Sequence, residues 1–503
     1  MRPFSSSCSR RLRSGGRGKA VILVAAGAVL LSGCGSRITE AEFAAFDAAD
    51  GAGAAQGTSD LSVAGADPSA LGGIDQVPGS ASTGTVGTVP GTGGAAAPAA
   101  ADAKSNSSTS ATTGATPAAA GAKVPVAAGC AKQGPPVTIG QVGSFSGLAG
   151  ATFVGGVKAP YVWVNYMNAR GGLGCHPIRF IQVDTQSNPA LTQAAIDRLV
   201  NKEGAIALFG NLVPLEIAGF ISGLEKAQVA GIGGDQAAPE WSGVSKYIFP
   251  VGGTARSLVA GSVKQAAELG KKKIAVLSCV ETSACGANFS NTIVKDGFAK
   301  KFGMEVVYTG QISITQPDYT AQCQNAKSAG ADTVAWGLDK AGLQRAAKSC
   351  ATLGYFPTLP LISLQGSFDP ADPNLRKSGA FLSSPVFPYM LNNTPALAQF
   401  HDAMKKYAPT APVDNAASLV WASGQMLAEV VDKLGPSVQT RALTKADILD
   451  GLDKIKNETL DGIITPTTYK TGAPQAENLC YFGIEFTAQG IFRPTNGLTK
   501  GCI

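Results

Sequence analysis

The run Val137-Thr138-Ile139-Gly140-Gln141-Val142-Gly143-Ser144-Phe145-Ser146-Gly147 decides the architecture of this 503-residue chain. Its first six residues are a short β-rich segment, and the Gly and Ser that follow end it as a loop. A helical stretch over 154–169 comes next and is closed by Gly171-Gly172. The order then repeats: a strand over 178–183, a helix over 190–200 opened by Pro189, a buried-type strand over 205–209 and a helix over 215–227. Strands alternating with helices predict βαβ units, a parallel sheet and helices on both faces.

The rhythm restarts after Tyr247-Ile248-Phe249-Pro250. Helices are expected over 256–269, 287–302, 318–329 and 343–353, with strands over 273–278, 305–309, 333–337 and 361–364. Long helices over 396–407 and 416–434 precede late strands near 481–486. Two such units in succession predict an α/β fold of two doubly wound, Rossmann-like lobes. Ligands of open α/β sheets gather at the carboxyl ends of the strands, so two facing lobes make a cleft. Roughly 370 residues after Cys130 exceed what one hydrophobic core normally serves.

Upstream the character changes. Arg10, Arg11, Arg13, Arg17 and Lys19 form a basic region, followed by an apolar stretch over 20–31 and then Leu31-Ser32-Gly33-Cys34. About twelve apolar residues suit the h-region of a secretory signal and are short for a bilayer span. The Leu-Ser-Gly-Cys ending resembles the lipobox of bacterial lipoproteins, which implies cleavage before Cys34 and a lipid on that cysteine; an uncleaved membrane anchor is the alternative. Residues 1–33 are then a signal peptide. Residues 34–129 are a lipidated cysteine and an Ala/Gly/Ser/Thr/Pro linker, too poor in large apolar residues to offset the entropy of ordering, apart from a helical patch over 38–49. The expected location is the extracytoplasmic face of the cell membrane.

Charge agrees. The chain holds 41 Lys+Arg and 35 Asp+Glu, a formal +6. The six basic residues before Cys34 (Arg2, Arg10, Arg11, Arg13, Arg17, Lys19) account for the excess, so no basic surface argues for nucleic acid. No later segment offers a membrane span.

Beyond Cys8 and Cys34, eight cysteines remain: Cys130, Cys175, Cys279, Cys285, Cys323, Cys350, Cys480 and Cys502. An even number in an exported chain reads as disulfides, although eight cysteines allow 105 connectivities. Pairing of neighbours is the expectation: Cys130–Cys175, Cys279–Cys285, Cys323–Cys350 and Cys480–Cys502. Zinc is a poor alternative, with no C-x-x-C and only two histidines, His176 and His401. No metal or cofactor is expected.

Catalytic constellations are missing from the sequence. It has no H-E-x-x-H, P-loop, G-x-S-x-G or G-x-G-x-x-G after a strand. Gly143-Ser144-Phe145-Ser146-Gly147 has the wrong spacing for a nucleophile elbow, and neither histidine has a partner for a Ser-His-Asp site. An enzyme is not expected.

From Val137 to Cys502 the chain resembles type I periplasmic binding proteins of the branched-chain amino acid class. The likeness rests on Ile139-Gly140-Gln141-Val142-Gly143 with Phe145-Ser146-Gly147, and on Asn168-Ala169-Arg170-Gly171-Gly172-Leu173-Gly174-Cys175. Ala238-Pro239-Glu240, Pro317-Asp318-Tyr319-Thr320-Ala321-Gln322 and Tyr481-Phe482-Gly483-Ile484 continue it. The resemblance implies three chain crossings, with lobe 1 from 130–252 plus 386–465 and lobe 2 from 253–385 plus 466–503. It implies a monomer that captures a small solute by hinge closure and delivers it to an ABC permease. The alternative is a sensory lipoprotein that uses the same fold to report a ligand to a membrane partner.

The specificity positions depart from the family pattern. Amino-acid-binding members hold the ligand carboxylate with hydroxyls and amides of the first lobe, and its ammonium with an acid of the second. Here Pro214 stands where a serine is usual, Ala237 where a threonine is usual and Gln365 at the acidic position, while Cys285-Gly286 replaces Tyr-Gly. Proline lacks hydroxyl and N–H, and a neutral glutamine cannot pair with an ammonium. A standard zwitterionic amino acid is therefore not the expected solute, unless Asp235, Asp339 or Glu281 replaces the missing acid. The expected cleft lining is Ser144, Phe145, Ser146, Thr152, Asn211, Asp235 and Gln236 from lobe 1, with Trp336, Asp339 and Gln365 from lobe 2. Phe145 and Trp336 would sandwich a flat or apolar solute; a core role is the alternative for Trp336.

Overall fold

A computed structural model describes Cys130 and residues 132–503. The signal peptide, Cys34, the linker and the helical patch over 38–49 lie outside the described residues.

The opening run forms strand β1 (Val137–Gly143), as its β-branched pattern requires. It pairs in parallel with β2 (Ile178–Asp184) on one side and β3 (Ala205–Asn211) on the other. Next to β3 lie β4 (Ala230–Gly234) and β5 (Ile248–Phe249), also parallel, so the order is β2-β1-β3-β4-β5. Helices α1 (Val154–Asn168), α2 (Pro189–Asn201) and α3 (Ile217–Ala227) connect them. Asn188 caps α2 by accepting from the N–H groups of Ala190 and Leu191 at 2.9 and 3.2 Å, with Pro189 pre-set in the first turn.

The second lobe repeats the order. After α4 (Ala255–Glu268), β6 (Lys273–Cys279) pairs in parallel with β7 (Glu305–Ile312) and β8 (Thr333–Trp336). Helix α5 (Thr320–Ser328) leads into β8, and α6 (Lys340–Thr352) leads on to β9 (Leu359–Ile362) and β10 (Ala380–Ser384). A bridge from Thr333 to Thr358 joins the two groups of strands. Strand β11 (Cys480–Phe486) then runs antiparallel on β10, with β12 (Phe492–Pro494) and β13 (Gly501–Cys502) antiparallel on β11. Helices α7 (Pro395–Tyr407), α8 (Asn415–Asp432) and α9 (Lys445–Asp453) return to the first lobe. There α8 packs on α1 and on β3, burying Trp163 and Trp421.

The segments that follow β5, β10 and α9 touch one another. Gly253 N–H donates to Pro385 O at 3.2 Å and Thr254 N–H to Asn478 O at 3.0 Å. Gly252 has φ +83, and a Cβ there would stand 2.0 Å from Pro385 O, so only glycine fits this close approach.

Three local features differ from the sequence expectation. The segment over 287–302 is not one helix: Ala287–Ser290 runs into a π-turn at Asn291–Lys295, and Gly297 at φ +71 breaks it before Phe298–Lys301. The stretch over 361–364 leaves the strand at Ile362 and turns into a 3-10 segment, Ser363–Gly366. Strand β4 carries three glycines and so gives little β signal. A Cβ at Gly231 would sit 2.8 Å from Leu224 and Phe220 of α3, so its bareness lets the helix lie close.

All four neighbour disulfides are present: Cys130–Cys175, Cys279–Cys285, Cys323–Cys350 and Cys480–Cys502. The first joins the approaches to adjacent strands β1 and β2, the third ties α5 to α6, and the fourth spans paired residues of β11 and β13. Cys279, Glu281 and Cys285 are the one metal-like grouping among the described residues, and the bridge occupies both thiols.

Candidate functional site

Both sheets follow the 2-1-3-4-5 order, whose crevice opens where the strand order reverses. Those points are the carboxyl ends of β1 and β3 in lobe 1 and of β6 and β8 in lobe 2. A cavity of about 600 Å³, counting its open mouth, lies there. Its lobe 1 wall comes from the segment after β1 (Leu148, Thr152, Phe153) and the loops after β3 and β4 (Pro214, Leu215, Ala237). Its lobe 2 wall includes Cys285, Phe289, Ile314, Leu338, Asp339 and Gln365.

All four residues that depart from the amino-acid-binding pattern, Pro214, Ala237, Cys285 and Gln365, border this cavity. Gln365 has no N–H left for a solute, and its oxygen is already engaged once. Its Nε2 donates to Trp336 O and Leu338 O, both at 2.7 Å, and its Oε1 accepts Ile362 N–H at 2.9 Å. Cys285 is held in its bridge to Cys279.

Of the ten expected lining residues, Thr152, Asp339 and Gln365 border the cavity, six others are buried away from it, and Ser146 is exposed. Ser144 is buried, with Oγ donating to Glu216 Oε1 at 2.6 Å. Ser146 donates its hydroxyl to Asp184 Oδ2, while the N–H groups of Phe145 and Ser146 both reach Asp184 Oδ1. The polar residues of the first loop thus fold the loop itself. Phe145 packs into the lobe 1 core, against Gly143. Asn211 Oδ1 accepts Val142 N–H at 3.3 Å, tying β3 to β1, and Gln236 donates to Val251 O at 2.8 Å. Trp336 lies edge-on to Tyr319 in the lobe 2 core, with ring centroids 5.6 Å apart. Asp235 Oδ2 accepts Val213 N–H at 2.6 Å and its Oδ1 accepts Ala237 N–H at 3.0 Å, so this acid braces the wall. Glu281 is engaged at the surface by Ser313 and Ile314.

The sequence reading missed Glu216. It is fully buried and accepts Ser144 Oγ, Thr185 Oγ1 (2.6 Å) and Leu215 N–H (3.1 Å). A charged residue inside the apolar run Leu212-Val213-Pro214-Leu215-Glu216-Ile217 was the available signal. Its carboxyl is pushed up by burial, against the pull of these donors. The histidines are structural: His176 nitrogens lie 2.7 and 2.8 Å from Pro135 O and Val438 O, and His401 Nε2 lies 2.9 Å from Leu391 O.

Burial pushes the Asp235 carboxyl up to about 7, although the backbone N–H groups of Ala237 and Val213 oppose it. An unfolded aspartate titrates near 3.9, so between those values the native chain holds a proton the unfolded chain has lost. This contribution is fully present below the unfolded value and is lost as pH rises towards 7, with a limiting slope of about 1.4 kcal/mol per pH unit. Measured by urea unfolding from pH 5 to 8, the stability of the wild-type chain should fall relative to Asp235→Asn. Glu216 is common to both chains, so a flat difference would remove Asp235 as the cause.

The lobes meet around the cavity through direct hydrogen bonds. Thr282 Oγ1 donates to Pro214 O at 2.9 Å and Ser283 Oγ to Glu240 Oε2 at 2.7 Å. Asn288 Nδ2 donates to Ala237 O at 2.9 Å and Ser367 Oγ to Thr152 O at 3.2 Å. Every donor sits on lobe 2 and every acceptor on lobe 1, at the rim of the same wall. Among the described residues no helix is long and apolar enough to cross a membrane.

Residues 136–483 match the family described as periplasmic binding protein. The chain belongs to this family. No curated protein matches it by sequence. Among solved structures it is similar to an ABC transporter substrate-binding protein of Aeropyrum pernix, with TM-score 0.60 and 16% identity over 73% of this chain and 96% of that one. It is also similar to a fatty acid ABC transporter substrate-binding protein from Thermomonospora curvata, with TM-score 0.56 and 17% identity over 72% and 93%. A solute-binding protein of an R. palustris ABC transporter, solved with benzoate, gives TM-score 0.56 and 16% identity over 72% and 95%. This family's shared property is a two-lobed binding fold, here with parallel-sheet Rossmann-like lobes.

Proposed function

We propose that this periplasmic binding protein is the extracytoplasmic, lipid-anchored receptor of an ABC importer, and that its solute is not a zwitterionic amino acid. One observation carries the specificity: Pro214, Ala237, Cys285 and Gln365 all border the cavity, where related receptors hold the two charged poles of an amino acid. An ammonium buried without its carboxylate partner would lose on the order of 2–5 kcal/mol. The solved relatives named for a fatty acid and for benzoate support the idea that this fold accepts an apolar, non-zwitterionic solute.

The division into lobe 1 (130–252 plus 386–465) and lobe 2 (253–385 plus 466–503) follows from this reading. Hinge closure about the crossings near Gly252, Pro385 and Asn478 would bury the solute, and binding energy would shift the open–closed equilibrium. No covalent step is needed. A lipid on Cys34 and the long Ala/Gly-rich segment would keep the receptor near its permease.

Thermal melting of the purified chain against leucine, valine, their amides and matched apolar monofunctional solutes tests the reading. A solute at 100 times its dissociation constant adds about 2.7 kcal/mol, a shift of several degrees. Amides and monofunctional solutes are expected to give that shift. An equal or larger shift with leucine or valine would show that the four departures do not govern specificity.

A further inference from the structure

The loop that leaves β6 is at once a disulfide ring, part of the cavity wall and a contact between the lobes. Cys279 and Cys285 close it with a sequence separation of 6, the shortest of the four bridges. Cys279 N–H also donates to Cys285 O at 3.1 Å, so backbone and sulfur together seal its neck. Thr282 O accepts Gly286 N–H at 2.9 Å. A Cβ at Gly286 would stand 2.6 Å from Cys279 O, and one at Gly337 would stand 2.0 Å from Cys285 O. Glycine at both positions lets the ring close and lie this near the end of β8. Further bonds fix it to the end of β7. Val280 N–H donates to Ile312 O at 3.1 Å, and the Glu281 carboxylate accepts Ile314 N–H at 3.0 Å and the Ser313 hydroxyl.

What this ring holds out towards lobe 1 is a pair of hydroxyls. Thr282 Oγ1 reaches Pro214 O at 2.9 Å and Ser283 Oγ reaches Glu240 Oε2 at 2.7 Å. Thr282, Ala284 and Cys285 border the cavity, and so does Pro214, so the Thr282 bond runs from one wall to the other. On an unbridged loop, backbone and side chains would have to be ordered each time the lobes meet, and that entropy would be subtracted from both bonds. The bridge sets both hydroxyls in place beforehand.

We propose that the Cys279–Cys285 bridge is a positioning element for solute retention: it pre-organises Thr282 and Ser283 as a clasp that holds the lobes together over a bound solute. The inference rests on the solute-binding reading above but not on the chemistry of the solute. It assigns Cys285-Gly286, one of the departures from the family pattern, to the geometry of closure.

The test is calorimetric titration of the full chain with benzamide and 3-methylbutanamide, two neutral solutes of the kind expected to bind, or with leucine should the melting panel favour it. Cys279→Ala/Cys285→Ala is expected to raise the Kd about tenfold, the equivalent of roughly one hydrogen bond. Thr282→Val/Ser283→Ala, with the bridge intact, should raise it by a similar factor. All four changes together should do little more than either pair, because both pairs remove the same clasp. Amide hydrogen exchange without solute gives a second readout. Residues 212–217 of lobe 1, which no substitution touches, should exchange faster once the bridge is gone. A bridge that only stabilises lobe 2 would lower the melting temperature and leave both the Kd and the exchange over 212–217 unchanged. That result would overturn the inference while sparing the solute-binding reading, and so would additive losses from the two pairs. Failure of the wild-type chain to bind these probes or any solute of the melting panel would overturn both.

Discussion

Replacing Cys130 and Cys175 together by serine is expected to lower the unfolding free energy by about 4 kcal/mol, from the chain-entropy cost of freeing a loop this long. The bridge spans 45 residues of sequence, the largest separation of the four. It also closes the first βαβ unit: Cys130 lies on the approach to β1 and Cys175 shortly before β2, where Gly134 N–H donates to Cys175 O at 3.0 Å and Val137 N–H to Pro177 O at 2.9 Å. Release of the bridge therefore frees the edge of the sheet on which the cavity wall is built. Urea unfolding of the double variant beside the wild-type chain, both under non-reducing conditions, measures the loss. A difference under about 1 kcal/mol would mean that the unfolded chain is already held together in this region.

The second large effect concerns the buried acid behind the wall. Glu216→Leu removes the acceptor of Ser144 Oγ, Thr185 Oγ1 and Leu215 N–H at a fully buried position. Each donor left unpaired costs about 1–3 kcal/mol, and Ser144 can still interact with Ser187 Oγ at 3.0 Å, so the total is on the order of 3–5 kcal/mol. Glu216→Gln should cost far less, since its oxygen can still accept both hydroxyls and only the bond from Leu215 N–H is replaced by opposed donors. The ranking of the two variants is the discriminating result. Equal losses for both would show that the carboxyl itself, which glutamine does not reproduce at Oε2, and not the two hydroxyl bonds to Oε1, is what Glu216 supplies.

The alternation of strand and helix was legible because it is written in hydrophobic periodicity, which both lobes keep over most of β1 to β9. Strand β4 was not legible, because its glycines are there for helix packing and carry no strand signal. The break over 287–302 depends on Gly297 in the left-handed region, one residue in an otherwise helical stretch. Disulfide pairing between neighbours could be anticipated because successive elements of a βαβ chain lie side by side.

The site was legible at its edges. Pro214, Ala237, Cys285 and Gln365 were found through the family pattern and stand on the cavity. Ser144, Ser146, Asn211 and Asp235 look like ligand contacts in sequence, since they are polar residues at strand ends. In the fold their partners are Glu216, Asp184, Val142 and the wall's own N–H groups, contacts that join residues far apart in the chain. Strand-end position marks the neighbourhood of the cavity but not which side of the loop a polar group faces. Thr152 differs from them because its hydroxyl was left unpaired.

The central claim is that the cavity between the lobes is where the solute binds. Leu215 is half-buried on its wall, so Leu215→Trp fills the space without displacing a packed core residue. The measurement is the melting temperature of wild-type and Leu215→Trp chains with and without the solute giving the largest wild-type shift. The prediction is a shift of several degrees in the wild-type chain and none in the variant, with the two unliganded chains melting within a few degrees of each other. A shift that survives in the filled variant would place the solute elsewhere and contradict the account.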